Sequence, residues 1–117
     1  MIKDGFIPFG PYRTYYRIVG KPSDSDKVPL LLLHGGPGST HNYFEALDEL
    51  AERDQRQLIM YDQIGCGLSS MPDQPRVYQA ATWLRELKNL RERLHLDQIH
   101  LLGQSWGGML AIMYLCD

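Results

Sequence analysis

A chain of 117 residues is the size of one small domain, so a single core is expected. Apolar residues make up 44% and charged residues 22%, which excludes a disordered or low-complexity chain. Twelve Lys and Arg against fourteen Asp and Glu leave a net charge of −2, which gives nucleic acid no electrostatic footprint. The longest strongly apolar run, residues 28–33, is far too short for a membrane span, and residues 1–5 lack the apolar core of a secretory signal. Two cysteines, Cys66 and Cys116, are too few for a disulfide framework and suit a reducing compartment.

Residues 5–20 predict an antiparallel hairpin. Tyr12, Thr14, Tyr16 and Ile18 alternate with Arg13, Tyr15, Arg17 and Val19 at the two-residue period of a strand, and Gly10-Pro11 supplies the turn. Residues 21–27 are polar and read as a solvated loop. The four leucines at 30–33 have no alternation, the pattern of a strand buried on both faces in a helix-covered parallel sheet. Residues 42–53 predict a helix, with Thr40 as its N-cap and Tyr43, Phe44, Leu47, Leu50 and Ala51 on one stripe. A second buried strand follows at 57–62, then a loop rich in Gly, Ser and Pro at 65–75. A second helix is predicted at 82–95. Its Leu84, Leu87, Leu90 and Leu94 face the core, while Arg85, Glu86, Lys88, Glu92 and Arg93 lie on the wet side. A third buried strand at 98–103 leads through a sharp turn into a helix from Trp106 onward.

Strands alternating with helices give an α/β class with right-handed crossovers. The last predicted helix reaches Asp117 without a glycine cap or a following strand, so the sequence predicts a truncated fold with an open sheet edge. That edge is a predicted site of self-association.

The strongest chemical signal is Gly103-Gln104-Ser105-Trp106-Gly107-Gly108, a G-x-S-x-G motif between a buried strand and a helix. Raising a serine hydroxyl above the edge of a sheet demands a strained turn, and glycines two residues to either side remove the Cβ atoms that would collide. The helix that follows aims its first amides at the same point. The second signal is His34-Gly35-Gly36-Pro37-Gly38, at the end of the first buried strand. There the amide of Gly36 is the expected partner of the Trp106 amide in an oxyanion hole, with Gly35 beside the substrate. A phosphate loop is disfavoured, because no lysine follows the glycines and Pro37 removes an amide.

Asp62-Gln63-Ile64-Gly65-Cys66-Gly67-Leu68-Ser69 lacks the third glycine of a dinucleotide fingerprint. Asp62 is open to two readings, a catalytic acid or a turn cap, and the cap is preferred. Cys66 reads as a small buried residue more readily than as a reactive thiol. After Ser105 the sequence holds Asp117 but no histidine. His34, His41, His95 and His100 are all expected to be structural or superficial. No His, Cys or carboxylate pair has metal-ligand spacing on one face. If the third buried strand crosses to the far side of the first, the loops carrying Gly36 and Ser105 meet at a switch point, where open α/β sheets bind ligands.

Together the three motifs resemble the proline iminopeptidase (prolyl aminopeptidase) family of α/β-hydrolases, and Gly5-Phe6-Ile7-Pro8 with Tyr15-Tyr16-Arg17 is similar to its opening strands. The resemblance covers essentially the whole chain. It implies the N-terminal portion of one α/β-hydrolase catalytic domain over residues 1–117, with the cap domain and C-terminal part absent. It also implies a cofactor-free, cytoplasmic serine hydrolase, with no metal, acting on short peptides with N-terminal proline or on small amino-acid amides and esters. Ser105 would be the nucleophile, and Gly36 and Trp106 the oxyanion donors. The family's acidic residues for the free amino group, its triad aspartate and its triad histidine have no counterparts here. An esterase or amidase of the same fold, and an inactive module needing a second chain, are the alternative readings.

Overall fold

A computed structural model of the chain describes residues 2–20, 28–35, 40–53 and 56–116. The 21–27 loop, Gly36, Pro37, Gly38 and Asp117 lie outside the described residues. Strands β1 (Ile2–Phe9) and β2 (Tyr12–Val19) form the hairpin, and β3 (Leu30–Leu33), β4 (Leu58–Tyr61) and β5 (His100–Gly103) complete the sheet. Its order is β1-β2-β4-β3-β5; β2 runs antiparallel to β1 and β4, whereas β3 is parallel to both β4 and β5. The chain thus moves from β3 to one neighbour and then crosses to the other, which brings the ends of β3 and β5 together as the switch-point reading requires.

The four leucines divide between two apolar layers. Leu31 and Leu33, with Ile59, Tyr61 and Ile64, pack under α2 (Ala80–Arg93) and α3 (Trp106–Cys116). Leu32, Leu58 and Met60 face the opposite way, onto Phe44 and Ala51. Burial on both faces removes any reason for a polar alternation, which is why the run is continuous. Arg17 is buried on the second face of β2 and is answered by Asp48 in a two-pronged contact, Nη1 to Oδ1 at 2.8 Å and Nη2 to Oδ2 at 2.6 Å. The pair docks α1 (Asp48–Arg53) on the sheet.

Two helical expectations are corrected. The segment beginning at residue 41 winds first as a 3-10 helix, His41–Leu47, before becoming α1. Its inward residues fall three apart, at His41, Phe44 and Leu47, which matches the three-residue turn of that helix. Tyr43 and Leu50, expected on the buried stripe, are exposed. Thr40 does cap this segment, its hydroxyl accepting from the Asn42 N–H. In α2, Glu86 was expected on the wet side and is instead fully buried beside Leu87 and Leu90. Its Oε2 accepts from the Thr14 hydroxyl at 2.6 Å and its Oε1 from the Ile64 N–H at 2.8 Å, tying β2 and the loop after β4 to the helix. The helix ends on His95, at φ 55°, with the Leu96 N–H reaching back to the Arg91 carbonyl at 2.9 Å. That is a Schellman closure made without glycine, and it gives His95 a structural place.

The approach of α3 to the sheet depends on two bare Cα atoms. A Cβ on Gly103 would overlap the Gly107 carbonyl, and one on Gly107 would overlap the Leu33 carbonyl, whereas one on Gly108 would make ordinary contact at 3.5 Å. No described helix is long and apolar enough to cross a membrane.

Substitution at these glycines should separate accordingly. Gly107→Ala is expected to cost about 1–3 kcal/mol through overpacking against backbone that cannot yield, while Gly108→Ala should be neutral or slightly stabilising as a helical alanine. Denaturant midpoints of the two variants check this; equal effects would contradict the packing described. Glu86 supplies a pH test. Burial pushes its carboxyl up from 4.5 to about 7, against the pull of the Thr14 and Ile64 hydrogen bonds. Between those values the folded chain keeps a proton that the unfolded chain has released, so stability falls as pH rises through this window. The group's contribution changes by roughly 3 kcal/mol across it. Glu86→Gln should flatten that slope and gain on the parent at pH 8; parallel stability curves from pH 5 to 8 would contradict the assignment.

Candidate active site

The turn from β5 into α3 places Ser105 at φ 57°, the left-handed region, with its side chain exposed above the sheet edge. A non-glycine residue held there stores about 1–3 kcal/mol of backbone strain, a cost that concentrates at functional turns. The turn is secured on both sides. The Gln104 N–H donates to the Leu33 carbonyl at 3.1 Å, the Gly107 N–H to the Gln104 carbonyl at 3.0 Å, and the Gly108 N–H to the Ser105 carbonyl at 2.9 Å. Trp106 opens α3, so its own backbone amide lies in the orphan first turn of the helix beside Ser105.

The chain leaving β3 runs against this turn. A Cβ on Gly35 would stand 2.5 Å from Gln104 Oε1 and 3.4 Å from Ser105 Cβ. The Gly35 N–H is spent on the Tyr43 hydroxyl at 2.7 Å. Gly35 and Ser105 are therefore brought together as the motifs suggested, and Gly36, the next residue, lies outside the described residues.

Beneath them a buried crossbar joins three loops. The Gln63 N–H donates to His34 Nε2 at 2.9 Å, its side-chain amide donates to the His34 carbonyl at 2.9 Å, and its Oε1 accepts from the Trp106 indole at 3.0 Å. Because Nε2 is an acceptor, His34 carries its proton on Nδ1, which donates to the Gly35 carbonyl at 2.8 Å. Burial lowers the His34 pKa, outweighing the Gly35 carbonyl and the Asp62 charge, and the ring is neutral.

Asp62 sits next to Gln63 and is buried. Its Oδ1 accepts from the His41 backbone at 2.9 Å and from the His41 ring at 2.6 Å, and its Oδ2 accepts from the Leu68 N–H at 3.0 Å. The bond to Leu68 is the turn-capping role preferred in the sequence. The bond to His41 was not foreseen. Burial opposes the charge on both partners, but their contacts prevail: Asp62 is held below its usual range, and His41, with Glu45 on its Nε2 at 2.8 Å, is raised. Both rings near the turn thus have both nitrogens engaged. Cys66 is buried, as preferred, and its N–H closes a turn onto the Gln63 carbonyl at 2.9 Å. His100 lies at the start of β5, the end of the strand away from Ser105. Among the described residues no three His, Cys, Asp or Glu side chains are grouped to hold a metal ion.

Tyr43 and Gln63 were the residues missed as parts of this site. Tyr43 looked apolar by helical spacing, and only the three-residue period of its helix would have shown it turned outward. Gln63 carried one signal, a polar side chain following a strand buried on both faces.

Sequence and structure comparisons place the chain among known proteins. The profile of the alpha/beta hydrolase fold matches residues 28–117. A proline iminopeptidase of Lactobacillus delbrueckii subsp. lactis is 64% identical over 118 residues, taking in 99% of this chain and 40% of that protein. One from Lactobacillus acidophilus is 65% identical over 117 residues, taking in 99% of this chain and 39% of its own. The crystal structure of proline iminopeptidase from Mycobacterium smegmatis superposes with a TM-score of 0.89 at 35% identity, over 96% of this chain and 38% of that one. The chain spans about 40% of the length of the curated relatives it matches. With a strand-turn-helix serine, a switch-point sheet and a profile match across residues 28–117, the chain belongs to the alpha/beta hydrolase fold family.

Proposed function

We propose that this chain carries the nucleophile and oxyanion-binding part of a serine aminopeptidase that releases N-terminal proline, or another N-terminal residue, from short peptides and amino-acid amides. The observation that carries the reading is the exposed Ser105 held at φ 57° between a β-strand and a helix N-terminus, backed by the 64% identity to a proline iminopeptidase. In the reaction, Ser105 Oγ attacks the carbonyl of the N-terminal residue, and its proton passes to a base. The C–N bond then breaks as the leaving amine takes up that proton, and water hydrolyses the acyl-serine. The developing oxyanion is held by the Trp106 amide and by Gly36, which follows the Gly35 backbone already lying against Ser105. Gly35 serves the substrate side through its missing side chain, since its N–H is engaged by Tyr43. No cofactor or metal is needed for this chemistry, and a cytoplasmic setting suits it.

The base is not His34 or His41, whose nitrogens are all committed to partners. It is a histidine supplied from outside residues 1–117. The 117-residue chain alone is accordingly expected to show no Ser105-dependent turnover. A protein extending residues 1–117 to the length of the relatives should release proline from a prolyl amide faster than it cleaves a short acyl ester. Ser105→Ala in that protein should lower kcat by at least about 10³-fold. Retained turnover in Ser105→Ala would overturn the assignment of the nucleophile. Preference for the ester would move the reading to an esterase of the same fold.

A further inference from the structure

One hydroxyl spans the two loops that meet at Ser105. The Tyr43 oxygen accepts from the Gly35 N–H at 2.7 Å and donates to Gln104 Oε1 at 3.0 Å. Gly35 precedes the expected oxyanion residue and Gln104 precedes the serine, so this single group ties the neighbours of both. Tyr43 is itself held from either side. His41, two residues earlier, is buried and locked to Asp62 by ring and backbone, and Phe44, one residue later, is buried in the second apolar layer. The Tyr43 ring rests on Phe44 at a centroid distance of 4.5 Å, leaving its face half in solvent at the mouth of the site. A tyrosine placed for packing alone would bury its ring; this one exposes the ring and commits the hydroxyl twice.

We infer that Tyr43 is a positioning residue, whose hydroxyl fixes the Gly35 backbone against the Ser105 turn. This rests on the acyl-transfer reading for its catalytic consequence but not for the clamp itself. The hydroxyl acts through others: it holds Gly35, the residue before the expected oxyanion donor, against the Ser105 turn, so it bears on the transition state more than on substrate binding.

The test is Tyr43→Phe, which keeps the ring on Phe44 and removes one oxygen. In the 117-residue chain, amide hydrogen exchange at Gly35 should accelerate at least about tenfold, the effect of releasing one hydrogen bond of ordinary strength. Exchange at the Gln63 amide, bonded to His34, should be unchanged. In the protein extended to the relatives' length, kcat should fall about five- to tenfold on amide and ester alike, with KM within about twofold and an unchanged thermal midpoint. Gln104→Leu, which removes the other end of the bridge, should give a smaller loss of kcat, and the double variant should lose less than the product of the two. Unchanged Gly35 exchange, or a fall in activity matched by a rise in KM, would overturn the inference. A parent protein with no acyl turnover would instead end the aminopeptidase reading, and the exchange data would then decide the clamp alone.

Discussion

The near-contact of α3 with the ends of β3 and β5 sets everything else at this site. A helix cannot ordinarily begin that close to a strand, because the first-turn Cβ atoms would strike the neighbouring backbone. Gly103 and Gly107 remove those atoms, and the carbonyls of Gly107 and Leu33 occupy the space a side chain would need. The chain must then turn within two residues, and Ser105 takes the left-handed conformation that the turn forces. Strain and exposure come from the same cause. The residue that bears the strained angle is also the one lifted clear of the sheet.

Such a turn would relax unless its surroundings over-determined it, and the polar network does so with few groups. Gln63 spends every polar atom of its side chain on the two sides of the cleft, taking the His34 carbonyl and the Trp106 indole together. His34 is kept neutral by burial and by the donor on its Nε2. His41 differs: its contacts with Asp62 and Glu45 outweigh burial and raise its pKa.

Much of this was legible in the sequence because the signals were local. Unbroken leucines at 30–33 required burial on two faces, and the glycines around Ser105 required close packing, so the sheet class and the serine turn could be read directly. The sequence offered the crossing of the third buried strand to the far side of the first only as a condition for the two glycine-bearing loops to meet, and the observed order meets that condition. Legibility failed where a long-range polar partner reversed a local preference. Glu86 has the spacing of a buried position but the chemistry of a surface one, and only Thr14 and Ile64, distant in sequence, make its burial tolerable. The pairing of Asp62 with His41 is equally invisible from either residue alone. Tyr43 was misplaced because a 3-10 turn advances its side chains by 120° rather than 100° per residue.

The central proposal is that Ser105 is the nucleophile and that the Trp106 and Gly36 amides are its oxyanion donors. A crystal structure of the relatives-length protein with an amino-acid boronic acid bound measures this directly. The account requires boron bonded to Ser105 Oγ, with one boronate oxygen within about 3 Å of both the Trp106 and Gly36 nitrogens. Boron bonded to any other residue, or an adduct whose oxygens point away from those two amides, would contradict it.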